Sequence, residues 1–292
     1  MTATAPTREY VDSKDGTRIG YLRQGVGPGI VLVQGAMGTA NHYSELAAAL
    51  SDKFTVYSAD RRGRGLSPKP YDSGHNIARD VEDIDAILAA NDAHLVFGLS
   101  SGAIITLEAA RTLSRITSAA VYEPPFYARG ISREGIRRLG REIERHQYGS
   151  ALLDALLTAQ TAPAVLRVLP RPVVRLLGFL VLHIEGLSGS GPDTLGAMLP
   201  GIRYDFHAVG GMDGKIETFR TLHKPVLLLA GTKSQSFLRE AIQRLQSVLP
   251  NAKRVDLDGL THSGPWNKKR GGQPDLVAEA LKDFLTDQAG KA

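Results

Sequence analysis

Two side chains in this sequence have the types and settings of a nucleophile and its base. Ser100 lies in Gly98-Leu99-Ser100-Ser101-Gly102, and His262 lies in Leu257-Asp258-Gly259-Leu260-Thr261-His262-Ser263-Gly264. A free hydroxyl is a weak nucleophile, so a serine that forms covalent bonds needs a base beside it. Ahead of Ser100, His94-Leu95-Val96-Phe97 has strand composition; behind it, Ala103–Ala110 is apolar and suits a helix. Gly-x-Ser-x-Gly between a strand and a helix is a nucleophile elbow. The tight turn strains the serine backbone, and the flanking glycines leave space where a Cβ would clash. The hydroxyl then stands above the sheet at a helix N-terminus, where free N–H groups favour a developing anion. The alternative is a glycine-flanked turn with an incidental serine, and the flanking strand and helix argue against it. His262 follows the last expected strand, so its side chain falls over the strand ends, where Ser100 points. The other seven of the eight histidines read as helix-surface, loop or cap residues.

The elements that would position this pair alternate regularly. Strands are expected at Glu9–Ser13, Arg18–Gln24 and Ile30–Val33, the first two joined by the turn Lys14-Asp15-Gly16-Thr17. A helix near His42–Leu50 and a strand at Phe54–Ala59 follow. Ile77, Val81, Ile84, Ile87 and Leu88 have helical spacing over Ile77–Ala90. The strand and helix of the elbow come next, then a strand at Ser118–Tyr122. Alternation resumes at Pro225–Ala230, with a helix at Phe237–Val248, a strand at Lys253–Leu257 and a last helix at Asp275–Leu285. Continuously apolar strands between helices imply an α/β fold, a mostly parallel twisted sheet covered on both faces. Residues 125–213 break the pattern, with helical patches and no convincing strand. Prolines 163, 170, 172, 192 and 200 are expected to cut that stretch into short helices, and Gly186–Gly191 to form a mobile loop. The expected organisation is a core of residues 1–124 and 214–292 carrying an all-helical cap, residues 125–213, inserted after the sixth strand as a lid over the serine.

Composition excludes several other chemistries. The 292 residues contain no cysteine, so disulfides, thiolate metal sites and cysteine nucleophiles are absent. The start of the chain has no apolar stretch of the kind a secretory signal needs, and a cytoplasmic location is the expectation. The longest apolar stretch, Pro172–Ile184, is interrupted by Arg175 and His183 and is short of the ~20 residues a membrane span requires. The net charge of +5 arises from 35 basic and 30 acidic residues, with basic clusters at Arg61/Arg62/Arg64, Arg133–Arg145 and Lys268-Lys269-Arg270. Such clusters are ordinarily solvated surface. No zinc-finger, RNP or basic-helix pattern accompanies them, so nucleic acid is not an expected partner.

The elbow, the loop Gln34-Gly35-Ala36-Met37-Gly38, the turn Asp60–Ser67 and His262 after the last strand together resemble the α/β-hydrolase family. The chain is most similar to lidded serine hydrolases and esterases of the kind abundant in actinobacteria, over roughly residues 8–286. The order serine before histidine fits as well. The resemblance implies an oxyanion hole made of the backbone N–H groups of Ser101 and Ala36. It also implies a structural, non-catalytic role for the Asp60–Ser67 turn and its arginines. Two departures stand out. Gln34 occupies the position where the family usually has histidine. It either leaves a backbone-built hole intact or serves as a structural hydrogen-bonding residue in that loop. Ser234 stands where the family's acid usually follows the strand at Val226–Ala230, and no carboxylate occurs before Glu240. Some relatives, haloalkane dehalogenases among them, place the acid one strand earlier, which here is Glu123. The resemblance therefore implies a Ser100–His262–Glu123 triad. Asp205 is an alternative acid, as is a Ser-His dyad with Ser234 as a weak partner.

These residues imply a serine hydrolase cleaving an apolar ester, thioester or related acyl substrate through an acyl-enzyme on Ser100, with no metal or organic cofactor. Acyl transfer, cyclisation and C–C bond hydrolysis use the same constellation, and a catalytically weak binding protein could retain the fold. A serine nucleophile, rather than aspartate, argues against dehalogenation and epoxide hydrolysis. Leu152, Leu153, Leu156, Leu157, Val173, Val174, Leu176, Leu177, Phe179 and Leu180 are expected mainly to pack the cap onto the core. Trp266 either walls the pocket or anchors the loop of His262. Oligomeric state is not legible in the sequence.

Overall fold

The computed structural model describes residues 5–188 and 191–289. An eight-stranded sheet runs through the molecule in the order β1-β2-β4-β3-β5-β6-β7-β8. Its strands are β1 (Thr7–Asp12), β2 (Arg18–Gln24), β3 (Gly29–Val33), β4 (Thr55–Ala59), β5 (Leu95–Leu99), β6 (Ser118–Tyr122), β7 (Val226–Gly231) and β8 (Ala252–Leu257). β2 pairs antiparallel with β1 and β4; every later pairing is parallel. The four central strands β3, β4, β5 and β6 are buried at almost every residue. Parallel strands covered on both faces read as unbroken apolar runs, and that is why they were visible in the sequence.

Alternate side chains of one strand feed two cores. Val31 and Val33 pack with α2 (Ile77–Ala90) and α3 (Ser101–Thr112), while Ile30 and Leu32 pack with α1 (Ser44–Leu50) and α11 (Pro274–Ala289). α10 (Ser236–Val248) covers the first face beside β7 and β8. Each of these helices presents its apolar stripe inward.

The segment between β6 and β7 is helical: α4 (Arg133–Glu144), α5 (Tyr148–Thr158), α6 (Ala164–Val168), α7 (Arg171–Ser188), α8 (Leu195–Met198) and α9 (Ile202–Met212). Two expectations for it change. Prolines do not keep every helix short, because Pro172 sits in the first turn of the 18-residue α7. There its missing N–H is an orphan anyway and its fixed φ suits the helix. The expected loop Gly186–Gly191 begins inside that helix, which runs to Ser188; residues 189 and 190 lie outside the described residues. α7 crosses α5 at a pair of glycines, with Gly149 against the backbone at Gly178 and Phe179. Leu152, Leu153 and Val174 are buried there as expected. Val173, Leu176, Leu177, Phe179 and Leu180 are not, and they form an exposed apolar stripe on the outer face of α7. The sequence shows an apolar stretch at Pro172–Ile184, but not which face of the helix it forms meets the core. Among the described residues, no helix is long and apolar enough to cross a membrane.

The elbow joins β5 to α3 at a point where three backbone segments converge. A Cβ on Gly98 would lie 2.5 Å from the carbonyl oxygen of Gly102. One on Gly102 would lie 2.5 Å from that of Gln34 and closer still to that of Val33. Both glycines are therefore required by contact with backbone that cannot yield. Gly102→Ala is expected to cost about 1–3 kcal/mol through this overpacking. Urea unfolding of the variant checks it, and an unchanged midpoint would contradict the close approach.

Candidate active site

Ser100 has φ 55° and ψ −122°, a conformation rare for a residue with a side chain. It is held there by its own N–H donating to Tyr122 O at 2.9 Å and by α3 starting at the next residue. Ser101 is the first residue of α3, so its N–H has no intrahelical acceptor. The positive end of the helix is thus aimed at the space beside the Ser100 hydroxyl.

Glu123 directly follows β6 and is fully buried. It too has positive φ, 48°, which turns its side chain across the end of β7. Its Oε1 accepts the Gly231 N–H at 2.7 Å, and its Oε2 lies 2.7 Å from Nδ1 of His262. Gly231 ends β7, and a Cβ there would strike the carbonyl of Leu260 in the His262 loop. That loop is held from below: Lys233 N–H donates to Leu260 O at 2.9 Å, and the Tyr122 hydroxyl donates to Thr261 O at 2.8 Å. With Nδ1–H directed at the carboxylate, Nε2 is left as the basic nitrogen. Ser234 is buried, and its hydroxyl has no partner among the described residues. The carboxylate beside the imidazole thus comes from the end of β6, and the usual position after β7 is silent.

Asp205, the alternative acid, is engaged elsewhere. It sits on α9, 1% exposed, and takes hydrogen bonds from Ser101 Oγ at 2.7 Å and from both Arg61 and Arg64. Burial pushes its carboxyl up, but Arg64 and Arg61, with the Ser101 hydroxyl, outweigh burial and hold it below the usual carboxylate range. Arg61 also donates to Ser101 Oγ at 3.2 Å and to Asp80 at 3.1 Å, and Asp80 contacts His75 at 2.8 Å. Arg62 is paired with Asp83 and Asp15, both at 2.6 Å. Arg61, Arg62 and Arg64 are all buried. The expectation that this cluster is solvated surface is corrected: each guanidinium is dehydrated and matched by carboxylates.

The loop carrying Ala36 is held by a second buried acid. Asp60 accepts Ala40 N–H at 2.6 Å and Leu66 N–H at 2.7 Å, and Gln34 Nε2 at 3.3 Å. Burial raises its carboxyl to about 6. Gln34 is therefore a structural hydrogen-bonding residue beneath the loop. Arg64 donates to the carbonyls of Gly35 and Gly38 at 3.3 and 3.4 Å, on either side of Ala36.

Ala36, Ser100, Ser101 and His262 open into one cavity of about 50 Å³. Its remaining wall is mostly apolar: Pro125, Tyr127, Ile131, Phe206, Val209 and Phe237 among others. None of the cap leucines named from the sequence lines it. Trp266 is not in this wall either. It stacks on His42 with ring centroids 5.6 Å apart and carries the Arg270 guanidinium on its other contact, so it anchors the loop. The wall residues and the Asp205–Ser101 contact were not found in the sequence, since they bring together separate segments of the chain that share no local pattern.

Residues 30–280 match the family model described as alpha/beta hydrolase family, and the chain belongs to that family. Its structure resembles that of an alpha/beta hydrolase from Sphaerobacter thermophilus, with 30% identity, a TM-score of 0.77, and 95% of this chain and 100% of that one covered. A thermophilic esterase from Thermogutta terrifontis shares the fold at 17% identity and a TM-score of 0.72, covering 97% of this chain and 99% of that chain. A local match, 32% identical over 85 residues, links the chain to the cis-3-alkyl-4-alkyloxetan-2-one decarboxylase of Shewanella oneidensis. It covers 28% of this chain and 27% of that protein. The chain thus spans about a quarter of that relative's length, and 35% of the next, a Bacillus subtilis protein called an uncharacterized hydrolase.

Burial, then the positive charge of Arg270, push the His42 imidazole down to about 4. A histidine held neutral in the fold but not in the unfolded chain makes stability fall with pH from about 6.5 down to about 4. An NMR titration of His42 is expected to give a midpoint near 4, and a midpoint near 6.5 would contradict its burial against Arg270.

Proposed function

We propose that this enzyme is a serine hydrolase that cleaves a small apolar ester or related acyl compound through an acyl-enzyme on Ser100. The observation that carries the reading is the Glu123–His262 contact of 2.7 Å, made behind a cavity whose wall His262 shares with a strained Ser100 at the start of α3. Ser100 Oγ attacks the acyl carbon while its proton passes to His262 Nε2. The imidazolium is stabilised by the Glu123 carboxylate at Nδ1. The negative charge on the former carbonyl oxygen is taken by the Ala36 and Ser101 N–H groups. Collapse breaks the bond to the leaving group, which receives the proton from His262. Water then repeats the sequence on the acyl-enzyme, releasing the acid and restoring Ser100. The helical segment 125–213 acts as a lid, supplying Tyr127, Ile131, Phe206 and Val209 to the cavity. A cavity of about 50 Å³ with that lining favours a short apolar acyl chain.

Stopped-flow release of p-nitrophenol from p-nitrophenyl acetate, butyrate and octanoate tests the reading. A stoichiometric burst is expected with the short esters, lost in Ser100→Ala, together with fluorophosphonate labelling of Ser100. Neither burst nor label on the wild type would refute it. Glu123→Gln is expected to lower kcat about 10⁴-fold, as loss of the acid in a serine triad does. A kcat within twofold of wild type would remove Glu123 from the mechanism.

A further inference from the structure

The proposed oxyanion hole has two halves on separate segments, and one carboxylate from the helical segment touches the supports of both. Oδ1 of Asp205 holds the Ser101 hydroxyl at 2.7 Å and Arg61, which itself donates to that hydroxyl at 3.2 Å. Oδ2 of Asp205 holds Arg64, whose other contacts are the carbonyls of Gly35 at 3.3 Å, Gly38 at 3.4 Å and Gly201 at 3.1 Å. Gly35 and Gly38 bracket Ala36. Gly201 directly precedes α9, so Arg64 clamps the oxyanion loop and the helical segment together. All of these side chains are buried, and the Arg64 side chain is 0% exposed. Among the described residues, Arg61 has a second carboxylate in Asp80, whereas Arg64 pairs with Asp205 alone.

We infer that Asp205 is a positioning residue that sets both halves of the oxyanion hole, so that the hole is assembled only when α9 is seated on the core. This deepens the acyl-enzyme reading and rests on it. The physical reason is the cost of an unmatched buried cation. Without the Asp205 carboxylate, Arg64 loses its one direct ion pair among the described residues and moves toward water, releasing Gly35 and Gly38. Ser101 Oγ loses its acceptor at the same time. Donors in an oxyanion hole act only within tenths of an ångström of the developing anion, so a small shift of either segment removes much of their effect. A neutral side chain of the same size cannot replace Asp205, because the two guanidiniums need charge as well as acceptors.

Asp205→Asn tests this on the full chain, with short p-nitrophenyl esters and a trifluoromethyl ketone that forms a tetrahedral adduct on serine. The expected result is a fall in kcat of about 10²-fold or more, the effect of losing one oxyanion donor, with KM changed less than threefold. Affinity for the trifluoromethyl ketone should fall in proportion to kcat, while inhibition by the product carboxylic acid stays the same. A merely structural role would lower the amount of active enzyme without separating these quantities. Where Asp205→Asn fails to fold, Ser101→Ala serves. It keeps the backbone N–H but cuts the link to Asp205, and is expected to lower kcat and ketone affinity together by about tenfold. Unchanged kcat and ketone affinity in the folded variant would overturn the inference while leaving the acyl-enzyme intact. A wild type with neither burst nor fluorophosphonate label would overturn both.

Discussion

The structure depends on the absence of two Cβ atoms. β5 turns into α3 so tightly that Gly98 faces the carbonyl of Gly102, and Gly102 faces the carbonyls of Val33 and Gln34. This contact ties the elbow to the end of β3 and brings the Ala36 loop beside Ser100. It also forces Ser100 into positive φ, a strain that the packing of two cores against the central strands can absorb. Close backbone approach thus performs three tasks at once. It exposes the serine, aims the start of α3 at the space beside its hydroxyl, and sets the gap between the Ala36 loop and Ser101.

Around that contact the protein buries an unusual amount of charge. Arg61, Arg62 and Arg64 come from a single turn, and each is enclosed rather than solvated. A buried cation is tolerable only with well-placed anions, so the turn dictates where Asp15, Asp80, Asp83 and Asp205 must lie. Three of these acids belong to the core, and the fourth, Asp205, belongs to the helical segment. The ionic network is therefore also the seam between the two parts. Its attraction for Asp205 outweighs the cost of burial, and that carboxyl stays below the ordinary carboxylate range. The contribution of Asp205 to stability is consequently present above its unfolded-state value near 3.8 and is lost as pH falls below it.

The placement of the acid beside His262 shows how one geometry admits different chain positions. The carboxylate is needed at the ends of the strands next to the imidazole, and both β6 and β7 end there. Glu123 at the end of β6 reaches across β7, is steadied by the Gly231 N–H, and meets Nδ1. Once a side chain from β6 occupies that space, an acid after β7 is superfluous, and Ser234 stands at that position.

Much of the fold was legible in the sequence. β2, β6 and α2 have the bounds expected from composition and helical spacing, and the other core elements fall within a few residues of theirs. A buried parallel strand must be apolar throughout and an amphipathic helix must repeat its stripe, so these elements are written locally. Ser100 was legible for the same reason, since the strand, glycines and helix that define it are contiguous. His262 and Glu123 needed the order of the elements as well as their types. Other features were decided only by tertiary structure. Arg61 and Arg64 look like surface charge until Asp205, some 140 positions away, is folded against them. Val173, Leu176, Leu177, Phe179 and Leu180 of α7 look like core until Gly178 packs on Gly149 and leaves them facing outward. A local pattern records what a segment's own backbone needs. Which face is covered, and which charge meets which, depends on partners that only the folded chain brings together.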